Sequence, residues 1–167
     1  MAQIDQPLII DIEASGFAAD SYPIEIGLAL KEGRRYCSLI TPAPDWNHWC
    51  REAQQYHHID RQTLAAYGKA IVDVAAELNH LLAEQTVYSD GWVVDKPWLI
   101  KLFHWARLEP SFRISPLEMI LSEDQMDIWH QVKDQVIEDL AINRHRASND
   151  ALIIQQTYQR TRQMTAS

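Results

Sequence analysis

Three segments near the start of the chain carry the pattern of strands. Pro7-Leu-Ile-Ile-Asp-Ile-Glu13 is a short, nearly continuous apolar run suited to a buried strand, and it ends at the turn Ala14-Ser-Gly16. Pro23-Ile-Glu-Ile-Gly-Leu-Ala-Leu30 alternates apolar with small or polar residues. Lys31-Glu-Gly-Arg34 then reads as a hairpin connection into Arg35-Tyr-Cys-Ser-Leu-Ile40. Three strands joined by short turns predict an antiparallel meander. The pattern then changes to helical. Ile71, Val74, Ala75, Leu78, Leu81 and Leu82 fall on one helical face, Thr86-Val-Tyr-Ser89 reads as a short strand, and Asp90-Gly91 is the turn out of it. Val94, Trp98, Leu102 and Ala106 form the next helical stripe, with Pro97 expected in about its first turn, where the missing N–H does no harm. A strand around Phe112 to Ile120, a helix around Glu123 to Leu140 and a last helix marked by Ala147, Ala151, Ile154 and Tyr158 follow. The predicted order is βββ-α-β-α-β-α-α, an α/β arrangement with one mixed sheet and helices packed against it.

Composition narrows this picture. The chain has 167 residues, 47% hydrophobic and 23% charged, enough for one domain with a sizeable core and too short for two ordinary ones. There is no internal repeat, low-complexity tract or linker. No apolar run approaches the roughly 20 residues of a membrane helix, and Met1-Ala-Gln-Ile-Asp5 lacks the basic and apolar regions of a signal peptide. Cys37 and Cys50 have no short paired spacing, so a reducing, cytoplasmic setting with two free thiols is expected. The net charge of −8, with positive charge thin and scattered, argues against a protein that grips duplex nucleic acid over a long footprint. An acidic enzyme that touches a short stretch of strand through metal ions remains allowed.

Candidate chemistry sits at three places. Asp11 and Glu13 lie two residues apart on one strand, so both project from the same face, beside an open turn. Carboxylates that close repel unless a cation compensates, and Mg²⁺ and Mn²⁺ take such oxygen ligands. Asp95 begins a helix just after a strand, in Ser89-Asp-Gly-Trp-Val-Val-Asp-Lys-Pro-Trp-Leu99; its rival Asp90 reads as a turn or N-cap residue. In His145-Arg-Ala-Ser-Asn-Asp150, the histidine precedes a helix whose first turns contain Asp150. A loop histidine with an ordinary pKa near 6.5 suits a general base. Taken singly, each has a bland alternative: a solvated Asp-x-Glu, a capping aspartate, a surface histidine. His48, Cys50, His57, His58 and Cys37 lack zinc-site spacing, and the six tryptophans read as core, with Trp92 the one to watch beside Asp95.

Taken together, these three motifs in this order resemble the DEDDh (DnaQ-like) 3′→5′ exonucleases. Asp11-Ile-Glu-Ala-Ser-Gly-Phe17 is similar to the family's Asp-x-Glu-x-Thr-Gly-Leu, with Ser15 in place of Thr and Phe17 in place of Leu; His145 to Ala151 is close to its third motif. Ile24-Glu-Ile-Gly27 resembles its second strand, and Tyr56-His-His-Ile59 its Ile-His-Gly-Ile loop with the glycine altered. The resemblance spans nearly the whole chain and implies a single exonuclease domain over residues 1–167. The implied fold is ribonuclease H-like, a mixed five-stranded sheet with three antiparallel strands followed by two parallel ones. It further implies two divalent ions, Mg²⁺ or Mn²⁺, held by Asp11, Glu13, Asp95 and Asp150, with His145 deprotonating the attacking water. Ala14, Ser15 and Phe17 would line the pocket of the terminal nucleotide. Arg144 and Arg146 would either assist with phosphate or simply be solvated. The implied partner is a single-stranded 3′ end of RNA or DNA, and a homodimer is a state related enzymes often adopt. Two competing functions share the fold: a catalytically silent module that binds nucleic-acid ends or a protein, and an endonuclease.

Overall fold

The structure is a computed structural model, and it describes residues 4–166. Strands β1 (Leu8–Ala14), β2 (Pro23–Ala29) and β3 (Arg35–Leu39) form the expected meander. Three helices follow: α1 (Arg51–His57), α2 (Arg61–Tyr67) and α3 (Ile71–Leu82). Then come β4 (Thr86–Ser89), α4 (Trp92–Ala106), β5 (Arg113–Pro116), α5 (Glu123–Leu140) and α6 (Ala147–Thr165). The sheet order is β3-β2-β1-β4-β5, with β1–β2 and β2–β3 antiparallel and β1–β4 and β4–β5 parallel.

Alternation along β1 divides the core between the two faces of the sheet. Leu8, Ile10 and Ile12 point to one side, where they join Ile24, Ile26 and Leu28 of β2, Leu78 of α3 and Leu102 of α4 in the main core. Ile9 points to the other and packs with Ala151, Ile154 and Tyr158 of α6 and Trp129 of α5. Asp11 and Glu13 follow Ile9 on that second side, so the strand's period carries two carboxylates onto the face that α6 covers. The tryptophan expectation holds for Trp46, which is buried and stacks on Tyr22 with centroids 5.2 Å apart.

Three sequence expectations are corrected. The middle helical region contains α1 and α2 ahead of α3, because seven-residue helices bury one or two anchors each (Ala53 and His57, then Leu64) and so show no apolar stripe. The predicted strand from Phe112 to Ile120 is only four residues long, and Pro116 leads into a 3₁₀ turn over Leu117–Ile120. Pro97 is the sixth residue of α4 rather than a first-turn residue, so the Val93 carbonyl loses its helical donor. Both residues are exposed, where water can replace it. Among the described residues, no helix is long and apolar enough to cross a membrane.

Candidate active site

The carboxyl ends of β1 and β4 lie side by side at the centre of the sheet, where the connections leave in opposite directions. Open α/β sheets place their ligand crevices at such a switch point. The two strands pair only through Leu8–Val87 and Ile9–Tyr88, so the chain beyond them is free to splay apart. A register shift between Glu13 and Ala14 turns the end of β1 further outward.

β2 and α6 bring the remaining groups to this point. Asp11 lies opposite Gly27 and Glu13 opposite Glu25 in the antiparallel register. A Cβ on Gly27 would stand 2.0 Å from the Ser148 amide nitrogen and 2.2 Å from the Ala147 carbonyl carbon. Only glycine lets the start of α6 lie this close to the strand. The fully buried Glu25 fastens the contact: its carboxylate accepts from the Ala147 N–H at 2.7 Å and from Arg146 Nη2 at 2.6 Å. An anion at a helix N-terminus meets the free N–H groups and the positive end of the dipole. Glu-x-Gly on β2 thereby sets where His145 and Asp150 stand.

All four predicted carboxylates and His145 converge. Asp11 Oδ2 is buried without a hydrogen-bond partner. Burial holds the Asp11 carboxyl well above its ordinary range, and Asp95, Glu13, Asp150 and Asp90 push it in the same direction. Burial, then the charges of Asp150, Glu25 and Asp95, raise Glu13 to about 8. Asp95 is 2% exposed and raised to about 7 by burial, against the Ser89 hydroxyl that donates to its Oδ2 at 2.6 Å. Asp90 instead pairs with Lys133 of α5 at 3.4 Å and is the more exposed of the two candidates. Asp150 accepts from the His145 N–H at 3.1 Å and from Arg144 Nε at 3.0 Å. One ligand atom each from Glu13, His145 and Asp150 lie within 4.8 Å of one another. An orphaned carboxylate oxygen among crowded, destabilised carboxylates is a donor set that fits hard divalent cations.

A cleft of about 360 Å³ opens beside this cluster, lined by Glu13, Ala14, Phe17, Tyr56, His57, Trp98 and His145, among others. Ala14 and Phe17 both line this cleft, and Phe17 is 72% exposed at its rim. The Ser15 side chain is fully buried outside the cleft, accepting from the Tyr22 N–H at 3.1 Å and sharing a hydrogen bond with His48 Nδ1. Arg144 and Arg146 are engaged by Asp150 and Glu25. Trp92 donates to the Ile114 carbonyl, and Lys96 Nζ covers its ring at 4.7 Å. The tryptophan that faces the cleft is Trp98. Its position three residues after Asp95, on an adjoining helical face, was the available signal. Tyr56 and His57 had none, because the seven-residue α1 shows no period. His57 is buried, accepts from the Ile59 N–H and leaves its Nε2 without a partner.

Sheet order and connectivity define a ribonuclease H-like fold, and an acidic cluster at its switch point marks a candidate metal site. Structures of exonuclease I share that fold. E. coli exonuclease I in a zinc-bound complex with single-stranded DNA superposes with a TM-score of 0.73 over 98% of this chain, at 15% identity. The same enzyme with a dA16 oligonucleotide gives 0.74 over 97% at 14% identity, and exonuclease I from Methylocaldum szegediense 0.71 over 97% at 11%. The chain spans about two-fifths of the length of those proteins, 41%, 42% and 41% respectively. No protein-family model and no curated protein sequence matches it.

Proposed function

We propose that this chain is a metal-dependent 3′→5′ exonuclease of the DEDDh (DnaQ-like) family, one catalytic domain over residues 1–167, acting on single-stranded nucleic-acid ends. The observation that carries the reading is the meeting of Asp11, Glu13 and Asp95, crowded and raised by burial, with the Arg144-paired Asp150, beside a cleft with aromatic walls and His145 at its edge. These carboxylates would hold two Mg²⁺ or Mn²⁺ ions, which supply charge compensation and Lewis acidity at the scissile phosphate. His145, on its exposed loop, takes the proton of the attacking water. Phe17 and Trp98 stack on the terminal base, while the Ala14 backbone meets the sugar. Ser89 aims the Asp95 carboxylate, and Glu25 holds α6, and so Asp150, at its distance from β1. Hydrolysis at the last phosphodiester releases a nucleoside 5′-monophosphate. The unpaired Cys37 and Cys50 agree with a cytoplasmic setting.

The test is incubation with Mn²⁺ and end-labelled RNA and DNA strands. Stepwise shortening from the 3′ end, stopped by EDTA and absent on a circular strand, is expected. Asp11→Ala, Asp95→Ala and Asp150→Ala should each abolish it, whereas Asp90→Ala keeps most of it. Hydrolysis that persists in excess chelator, or cutting of the circle, overturns the assignment.

A further inference from the structure

His145 is held loosely by its own surroundings. Its ring is 45% exposed, and Nδ1 stands 4.0 Å from Asp150 Oδ2, beyond hydrogen-bond reach. Its backbone is left-handed, with φ at 59°. The contact that limits the ring comes from α1. Tyr56 meets it edge to face, with centroids 5.5 Å apart and an interplanar angle of 70°. Tyr56 in turn stands on a braced element. The Cys50 N–H donates to the Ser15 carbonyl and ties α1 to the chain leaving β1. The adjacent His57 is buried and packs edge-on against Trp49, with centroids 6.2 Å apart.

Tyr56 also lines the cleft, so one ring touches both the space for a terminal base and the imidazole. We infer that Tyr56 is a positioning residue, which limits the rotation of the His145 ring and tightens that limit when a nucleobase fills the cleft. This rests on the exonuclease reading. Edge-to-face aromatic contacts come from the ring, and no hydrogen bond to the Tyr56 hydroxyl occurs among the described residues, so the ring and not the hydroxyl carries the role. Placement of the imidazole is thereby coupled to occupancy, and an empty cleft leaves His145 limited by the Tyr56 ring alone.

Steady-state kinetics with Mn²⁺ and a short single-stranded oligonucleotide separate the outcomes. Misplacing a catalytic group by about an ångström costs on the order of 10²-fold, so Tyr56→Leu should lower kcat by about 10–100-fold with a much smaller change in KM. Tyr56→Phe should restore both. A second readout is independent of turnover. In ¹H–¹³C spectra recorded with Ca²⁺, the His145 ring resonance should move on adding oligo(dA) to the natural protein and stay still in Tyr56→Leu. An unchanged kcat in Tyr56→Leu, a loss confined to KM, Tyr56→Phe as impaired as Tyr56→Leu, or equal spectral shifts in the two proteins each overturn the role. If the natural protein shows no metal-dependent hydrolysis, the exonuclease reading falls and this inference with it; the other outcomes remove the inference alone.

Discussion

At the scale of single residues, His58 stands out. It caps the C-terminus of α1 with φ at 57°, donating its N–H to the Gln54 carbonyl, at the position where the resembling loop carries glycine. A side chain in that left-handed conformation costs roughly 1–2 kcal/mol, partly offset by the greater unfolded-state entropy of glycine. His58→Gly should therefore stabilise the protein by about 0.5–1 kcal/mol, read as a higher urea midpoint at unchanged slope. A lower midpoint would mean that the imidazole makes a contact worth more than the strain. His145 is the opposite kind of residue, half-buried and without a side-chain hydrogen bond to Asp150 that the fold would lose. His145→Ala should leave the melting temperature nearly unchanged while kcat falls by roughly 10²–10⁴-fold. A loss of less than tenfold would assign the proton to another acceptor.

Among the elements, the union of β2 with α6 decides whether a site exists. Gly27→Ala drives a methyl group into the backbone of α6, which cannot yield as a flexible side chain can. Destabilisation of about 3 kcal/mol and loss of Mn²⁺ affinity are expected together, measured by denaturant unfolding and by metal titration. Full metal affinity in a stable Gly27→Ala protein would show that α6 is placed by other contacts. The strand carboxylates, Asp95 and the start of α6 could be placed on their elements from period and boundary, but only the three motifs taken together joined them into one candidate site. The far wall of the cleft was not legible in sequence. Tyr56 and His57 sit on a helix too short to show a period, and Trp98 falls on an apolar stripe that reads as core. Ser15 matched a motif by identity, yet its hydroxyl turns inward to Tyr22 and His48, a direction that spacing alone does not encode.

For the whole molecule, charge governs both stability and substrate range. Asp11, Glu13 and Asp95 all have carboxyl groups raised in the folded protein, so the native state holds protons that the unfolded chain releases. Their contribution is full below the ordinary carboxylate range and is lost as pH rises through about 7 to 8. Metal-free protein should melt at a higher temperature at pH 6 than at pH 8.5, and Mg²⁺ should raise the value chiefly at the higher pH. A melting temperature that climbs with pH in EDTA contradicts this. The net charge of −8, with Arg144 and Arg146 committed to Asp150 and Glu25, leaves few cations for phosphates. Binding of inactive protein to single strands should show a shallow salt slope, corresponding to about one to three contacts. A steep slope would reveal a basic surface assembled by other means.

One property of the site follows from how far apart its parts lie along the chain. β1 supplies Asp11 and Glu13, α6 supplies Asp150, and the two elements are joined by bonds such as that from Gln155 to the Pro7 carbonyl, 148 residues away in sequence. A polypeptide still emerging from the ribosome has the first pair of acids long before it has the last. If the proposed exonuclease reading holds, the nascent chain would have no complete site for cutting a strand until α6 has emerged and docked. A product truncated before residue 145, by a premature stop or by proteolysis, is disarmed for the same reason. On that reading, the order of the motifs along the chain would work as a safety catch on the proposed activity during the protein's own synthesis.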